Sequence, residues 1–143
     1  MTLPISLVVT CKNRLDHLKE TLPTFLDLPL ENIIVVDYGC RQGTADWVQS
    51  LNSDVIVEKV DDDDFFCLAR ARNAALKWVN TNQILFIDAD VKLKSNFGIW
   101  LAEHLEQSDT FFIAQRPCSL SLYGALICNT SDFNRAGQYD EAY

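Results

Sequence analysis

The chain has 143 residues, 48% hydrophobic and 22% charged, and its 12 Lys and Arg against 20 Asp and Glu give a net charge of −8. That length suits one domain, spanning residues 1–143, that buries roughly two-thirds of its surface without disulfide or metal staples, and the composition is too apolar for disorder. The acidic balance excludes general binding to a nucleic-acid backbone, but not one small phosphorylated ligand whose charge a divalent metal or a few arginines offset.

In chain order, Ile5–Thr10 is a β-branched apolar run and predicts a buried strand. Asn13 is placed to cap the next helix, in which Leu15, Leu18, Leu22, Phe25 and Leu26 recur at helical spacing and which Pro23 should kink or shorten. Asn32–Asp37 predicts a second buried strand, with Gly39 and Gly43 in the turn after it. Thr44 is the expected cap of a short helix burying Trp47, Val48 and Leu51. Asp54–Glu58 reads as a third strand, followed by the acidic loop Asp61 to Asp64. Leu68, Arg72, Ala75, Leu76 and Val79 mark a third helix, and Ile84–Asp88 a fourth strand. Ser95 is the expected cap of a helix carrying Phe97, Trp100, Leu101, His104 and Leu105, and two further strands are predicted at Thr110–Ala114 and Leu122–Cys128. Trp47, Trp78 and Trp100 read as core or half-buried, and His17 and His104 as structural or surface residues. Strands that alternate with helices predict an α/β fold: a mainly parallel sheet with helices on both faces.

The cysteines, at 11, 40, 67, 118 and 128, are odd in number and lack CxxC spacing, so they read as reduced, mostly buried thiols in a reducing compartment. The start lacks a basic lead and is cut by Pro4 and Ser6, and no apolar run reaches a membrane span of about 20 residues. A cytoplasmic location follows as the expectation, with peripheral membrane contact left open. Asn129-Thr130-Ser131 matches a glycosylation sequon by chance.

Polar residues gather where strands end. Thr10 ends the first strand, Asp37 the second and Asp88 the fourth, and the acidic loop follows the third. Open α/β sheets bind ligands outside the strand carboxyl ends, at a switch in strand order; a 3-2-1-4 order would turn Asp37 and Asp88 into one crevice between the first and fourth strands. With 14 Asp among 143 residues, about 1.4 Asp-x-Asp triplets arise by chance. Asp88-Ala89-Asp90 is set apart from those in the acidic loop by its place after Ile84–Ile87. If the backbone stays extended there, the two carboxylates share one side and can hold Mg²⁺ or Mn²⁺ with phosphate and water completing the shell. The acidic loop itself reads more as a solvated turn than as a site.

Four stretches occur in order: Ile-Ser-Leu-Val-Val-Thr-Cys-Lys-Asn-Arg, Ile-Ile-Val-Val-Asp-Tyr-Gly-Cys-Arg-Gln-Gly-Thr, Ala-Arg-Asn-Ala-Ala-Leu and Ile-Leu-Phe-Ile-Asp-Ala-Asp. Gly124-Ala-Leu-Ile-Cys and Phe133-Asn-Arg-Ala-Gly-Gln-Tyr-Asp-Glu141 follow. As an ordered set they resemble family-2 glycosyltransferases of the Rossmann-like GT-A fold, over nearly the whole chain. The resemblance implies an inverting transfer of a sugar from a nucleotide donor, most often a UDP-sugar, to an acceptor hydroxyl on a saccharide, lipid or protein. It implies that Thr10 and Asn13 line the nucleotide pocket, that Asp37 accepts a hydrogen bond from the base, and that Arg72 sits near base or phosphates. Asp88 would approach the ribose or the metal, and Asp90 would coordinate the metal, Mn²⁺ or Mg²⁺. The chemistry suits these residues: a divalent ion stabilises the diphosphate leaving group, and a general base must face the acceptor hydroxyl.

The sequence departs from the family pattern at Arg14, where many members carry an acid, at Tyr38, where a second acid is common, and at Gln138, in place of a glycine. The family's usual base lies in a Glu-Asp motif downstream of the Tyr-Asp-Glu stretch, and Tyr143 precedes it, so no catalytic residue is assigned. Asp132, Asp140 and Glu141 are the late acids. Three alternatives remain beside the enzyme: a non-catalytic nucleotide-sugar and metal-binding domain or fragment that lacks acceptor site and catalytic base, with a partner subunit as one source of the acceptor site; another chemistry on an acid-lined α/β sheet; and an assembly protein that keeps the fold without activity. For the second, a dehalogenase-type phosphatase would want an Asp where Thr10 stands, a nucleotidyltransferase a Gly-rich loop, and a receiver domain a late Lys.

Overall fold

The computed structural model describes residues 1–51, 54–61, 64–105, 110–114 and 124–142. Its elements run β1 (Leu3–Cys11), α1 (Leu15–Leu26), β2 (Leu30–Tyr38), α2 (Thr44–Gln49), β3 (Ile56–Val60), α3 (Leu68–Ala74), a 3₁₀ turn (Leu76–Trp78), β4 (Gln83–Asp88), α4 (Phe97–His104), β5 (Phe112–Ile113), β6 (Leu126–Asn129) and α5 (Thr130–Arg135). The strands form one six-stranded sheet in the order β3-β2-β1-β4-β6-β5. β1 to β4 are mutually parallel, and β6 runs antiparallel to β4 and β5. The order 3-2-1-4, on which the reading of a crevice between the first and fourth strands depended, is the one found, with an antiparallel edge added.

The apolar runs of β1, β2 and β4 are continuous because both faces of the sheet are covered. Ile5, Leu7, Val9, Val35, Leu85 and Ile87 turn to one face and pack with Leu18, Leu22 and Phe25 of α1, Val48 of α2 and Leu101 of α4. Val8, Ile34, Val36, Ile84 and Phe86 turn to the other and pack with Ala71 and Ala75 at α3, with Phe133 of α5 and Tyr139 against them. Neighbouring residues of one strand thus belong to opposite cores, as a side-chain period of two requires.

Local expectations fare unevenly. α1 runs three residues past Pro23, to Leu26. Asn13 does not cap it: Asn13 sits at φ 52, and the acceptor for the Leu15 amide is Gln42 Oε1 at 3.0 Å, 27 residues along the chain. Thr44 and Ser95 are not caps either. Gly43, at φ 74, precedes α2, whose Ala45 amide is held by Asp37, and Asn96 precedes α4 without a side-chain bond. β3 lies two residues later than predicted. β5 has two residues, and β6 begins at Leu126, after a turn at Gly124; Leu122 lies outside the described residues. α5 is unforeseen. The cysteines at 11, 40, 67 and 128 are free thiols; Cys118 lies outside the described residues. Among the described residues no helix is long and apolar enough to cross a membrane.

Candidate functional site

At the carboxyl ends of β1 and β4 lies a cavity of about 400 Å³. Thr10 and the following Lys12-Asn13-Arg14 form one wall, Asp88-Ala89-Asp90 another, and Phe66 and Leu68 a third. Thr10 and Asp88 are register partners across the β1–β4 pair, so the parallel sheet itself sets them side by side. The sequence-predicted Thr10, Asn13, Asp88 and Asp90 are brought together here. Lys12, Arg14, Phe66 and Leu68 line the cavity too, though none is a site candidate in the sequence; the signal for them is only their place just after a strand end or around the start of α3.

Asp88 and Asp90 reach the cavity differently from the expected route. The extended backbone stops at Asp88, and a turn closed by Val91 N–H to Asp88 O, 3.2 Å, follows. Ala89 is buried and its carbonyl accepts from Thr21 Oγ1 at 2.7 Å, which pins the turn to α1. Asp90 is thereby carried to the exposed lip rather than along a strand. Asp88 Oδ1 takes a hydrogen bond from Arg72 Nη2 at 3.2 Å. Among the described residues Oδ2 of Asp88 and both oxygens of Asp90 make no hydrogen bond to protein, and no group of three or more His, Cys, Asp or Glu is gathered to hold a metal.

Arg72 does not line the cavity. It is 3% exposed and stands behind Asp88. Its Nη1 donates to Tyr139 Oη at 2.9 Å and its Nη2 to the Gly124 carbonyl at 3.0 Å. Its guanidinium lies 5.4 Å from the Phe86 ring and 5.5 Å from that of Tyr139. The next residue, Asn73, donates to the Tyr139 carbonyl and to Glu141 Oε1 and accepts from Tyr139 N–H. The Arg-Asn pair of α3 and the Tyr-Asp-Glu stretch are thus one structural unit, a pairing no local pattern announces. Glu141 also meets Arg70 Nε at 3.5 Å. Asp140 accepts from Ala142 N–H and Asp132 from Arg135. None of these three late acids lines the cavity.

Asp37 is buried at 5% exposure, with Oδ1 accepting from Cys40 N–H and Oδ2 from Ala45 N–H, both at 2.9 Å. It borders a smaller depression of about 170 Å³, with Gly43, Lys59 and Asp61 on the same wall. Asp37 and Asp88 therefore open into different recesses rather than one crevice. Tyr38 is fully buried and packs edge-on against Phe66, with ring centroids 5.4 Å apart. Asp61 and Asp64 are exposed; residues 62 and 63 lie outside the described residues. Asn13 ties the two strand-end loops together, its Oδ1 accepting from Arg41 N–H at 3.0 Å.

The sequence model of the family described as Glycosyl transferase family 2 matches residues 6–121. No curated protein matches the chain. Among solved structures, the mannosyltransferase PcManGT from Pyrobaculum calidifontis, in complex with GDP-Man and Mn²⁺, superposes with a TM-score of 0.79 at 15% identity, covering 99% of this chain and 49% of that one. S. aureus TarS 1-349 superposes with a TM-score of 0.73 at 16% identity, covering 99% and 51%. Its complex with UDP-GlcNAc gives 0.74 at 16%, covering 97% and 48%. At such identities the likeness is one of fold, and the chain spans about half the length of these structures.

Proposed function

The chain belongs to glycosyl transferase family 2 and has the GT-A fold, and from that premise we propose that it binds a nucleotide-sugar donor, a UDP-sugar first, in the cavity between β1 and β4. The sugar then passes with inversion to an acceptor hydroxyl. The observation that carries this reading is the pairing of Thr10 with Asp88 at the strand ends, with Asp90 on the lip of the same cavity.

A divalent cation fits these residues. The hard carboxylate oxygens left without protein partners, Asp88 Oδ2 and those of Asp90, suit Mg²⁺ or Mn²⁺, and two carboxylates leave coordination positions for phosphate oxygens and water. When bound, the ion would supply charge stabilisation to the diphosphate leaving group. The chain's own residues do the rest. Arg72 fixes the Asp88 carboxylate from behind through Oδ1. Lys12 and Arg14 add positive charge on the β1 side, offsetting the −8 background for an anionic donor. Leu68 and the exposed Phe66 offer an apolar wall to a flat base or sugar face.

A second reading is a donor-binding domain whose general base comes from elsewhere. It is favoured by the position of Asp132, Asp140 and Glu141 away from the cavity. Calorimetric titration of UDP, with ADP and GDP as controls, with and without Mn²⁺, tests both. The donor reading expects UDP to bind in the presence of Mn²⁺ and to lose at least tenfold in affinity in Asp90→Ala. Absence of binding by every nucleotide in both conditions overturns it. Transfer of sugar by the isolated chain would eliminate the second reading.

A further inference from the structure

Two thiols meet beneath the cavity wall. Cys11 is the last residue of β1 and is 1% exposed. Cys40 lies in the turn after β2 and is half-buried. Their sulfurs are 3.9 Å apart, with the Cys40 thiol directed at Cys11 and 3.1 Å from the Cys11 carbonyl. Cys40 Sγ in turn accepts from Asn13 N–H at 3.3 Å. We propose that Cys11 and Cys40 are a reactive dithiol that a hydroperoxide converts to an intramolecular disulfide.

The geometry decides which thiol moves. A disulfide requires the sulfurs to close by roughly 2 Å. Cys11 is fixed at the end of an inner strand and buried, so Cys40 must do the moving. It stands in a turn bounded by Gly39 and Gly43, both at positive φ, outside any strand or helix. The hydrogen bond from Cys40 holds the Cys11 thiol below its ordinary pKa, whereas the same bond and burial push the Cys40 thiol up. The 3.9 Å separation leaves each sulfur within reach of the other, so whichever is oxidised first is closed on by its neighbour. One of the two, as its thiolate, attacks one oxygen of hydrogen peroxide, the O–O bond breaks, hydroxide leaves, and a sulfenic acid remains on that sulfur. The second sulfur then attacks the first, displacing the sulfenic oxygen, which takes the second thiol's proton and departs as water. In sum, two thiols are oxidised by two electrons to one disulfide, and one peroxide is reduced to two waters. The new bond would fasten the root of Lys12-Asn13-Arg14, a wall of the cavity, to the β2 turn.

The test needs no nucleotide, so it stands apart from the donor-binding reading. The whole chain is treated with hydrogen peroxide, free thiols are alkylated, and trypsin peptides are weighed. Cleavage after Lys12, Lys19 and Arg41 places Cys11 alone in residues 1–12 and Cys40 alone in residues 20–41. The expected product is these two peptides joined, two hydrogens lighter than their sum, and separated again by dithiothreitol. Cys128, whose thiol burial pushes up to about 11, stays alkylatable. In Cys40→Ser and in Cys11→Ser the joined peptide should be absent, because the remaining thiol has no neighbour to close on. Full alkylation of both Cys11 and Cys40 in the peroxide-treated wild type would overturn the proposal, as would their appearance only in links to other cysteines. The wild-type map decides the matter even if either variant folds poorly.

Discussion

Asp37 holds two backbone amides at once, those of Cys40 and Ala45. A buried carboxylate in that position organises the turn after β2 and the start of α2 before any ligand arrives. Asp37→Ala should therefore cost about 2–3 kcal/mol of stability, since two buried amides lose their acceptor, and Asp37→Asn should cost less because one carbonyl oxygen survives. Urea unfolding checks this; an unchanged midpoint with weakened nucleotide binding would mean that Asp37 serves only the ligand. Arg72 invites a parallel argument. Arg72→Lys keeps the charge beside Asp88 but cannot span Tyr139 Oη, the Gly124 carbonyl and Asp88 with one planar fork. We expect a loss of about 2 kcal/mol, read by the same unfolding curve. Both residues were legible as candidates, Asp37 from its place at a strand end and Arg72 from the family resemblance. Their partners were not, because the contacts cross from position 72 to 124 and 139, and no local spacing encodes such a distance.

Capping shows the same limit at the scale of elements. A sequence rule looks for a cap next to its helix, and Asn13 stands where such a rule looks. The fold instead places Asn13 in the left-handed region and brings Gln42 from the neighbouring loop onto the Leu15 amide. Gln42→Ala should lower stability by about 0.5–1 kcal/mol, and the loss should show as faster amide exchange in the first turn of α1. Gly43 illustrates a signal that local reading does catch. Its φ of 74 has open space around it, so Gly43→Ala meets no clash, yet the backbone conformation alone should cost about 1 kcal/mol. The strands were the most legible elements, since buried parallel strands are apolar throughout. β5 and β6 were the least, because an antiparallel edge of two and four residues leaves a short and irregular pattern.

Across the whole molecule, the sheet is shared by two cores, and adjacent residues such as Val8 and Val9 are committed to opposite ones. Loosening one face removes the platform of the other, so unfolding should be a single transition. Trp47 and Trp100 pack against the α1–α4 face, and far-ultraviolet circular dichroism reports the chain as a whole; the two melting curves should coincide. The cavity lies at the ends of the two central strands, so a ligand there touches the platform rather than one layer. UDP with Mn²⁺ at about 100 times Kd should add about 2.7 kcal/mol, which for a chain of this size raises Tm by roughly 7–10 °C. Both probes should move by the same amount. UDP without the metal adds an anion to a chain of net charge −8, with Lys12 and Arg14 as the cavity's basic residues, and should raise Tm less. A shift seen by fluorescence but not by circular dichroism would mean that the ligand acts on the surroundings of a tryptophan rather than on the shared platform, and the donor-site assignment of Thr10, Asp88 and Asp90 would fall with it.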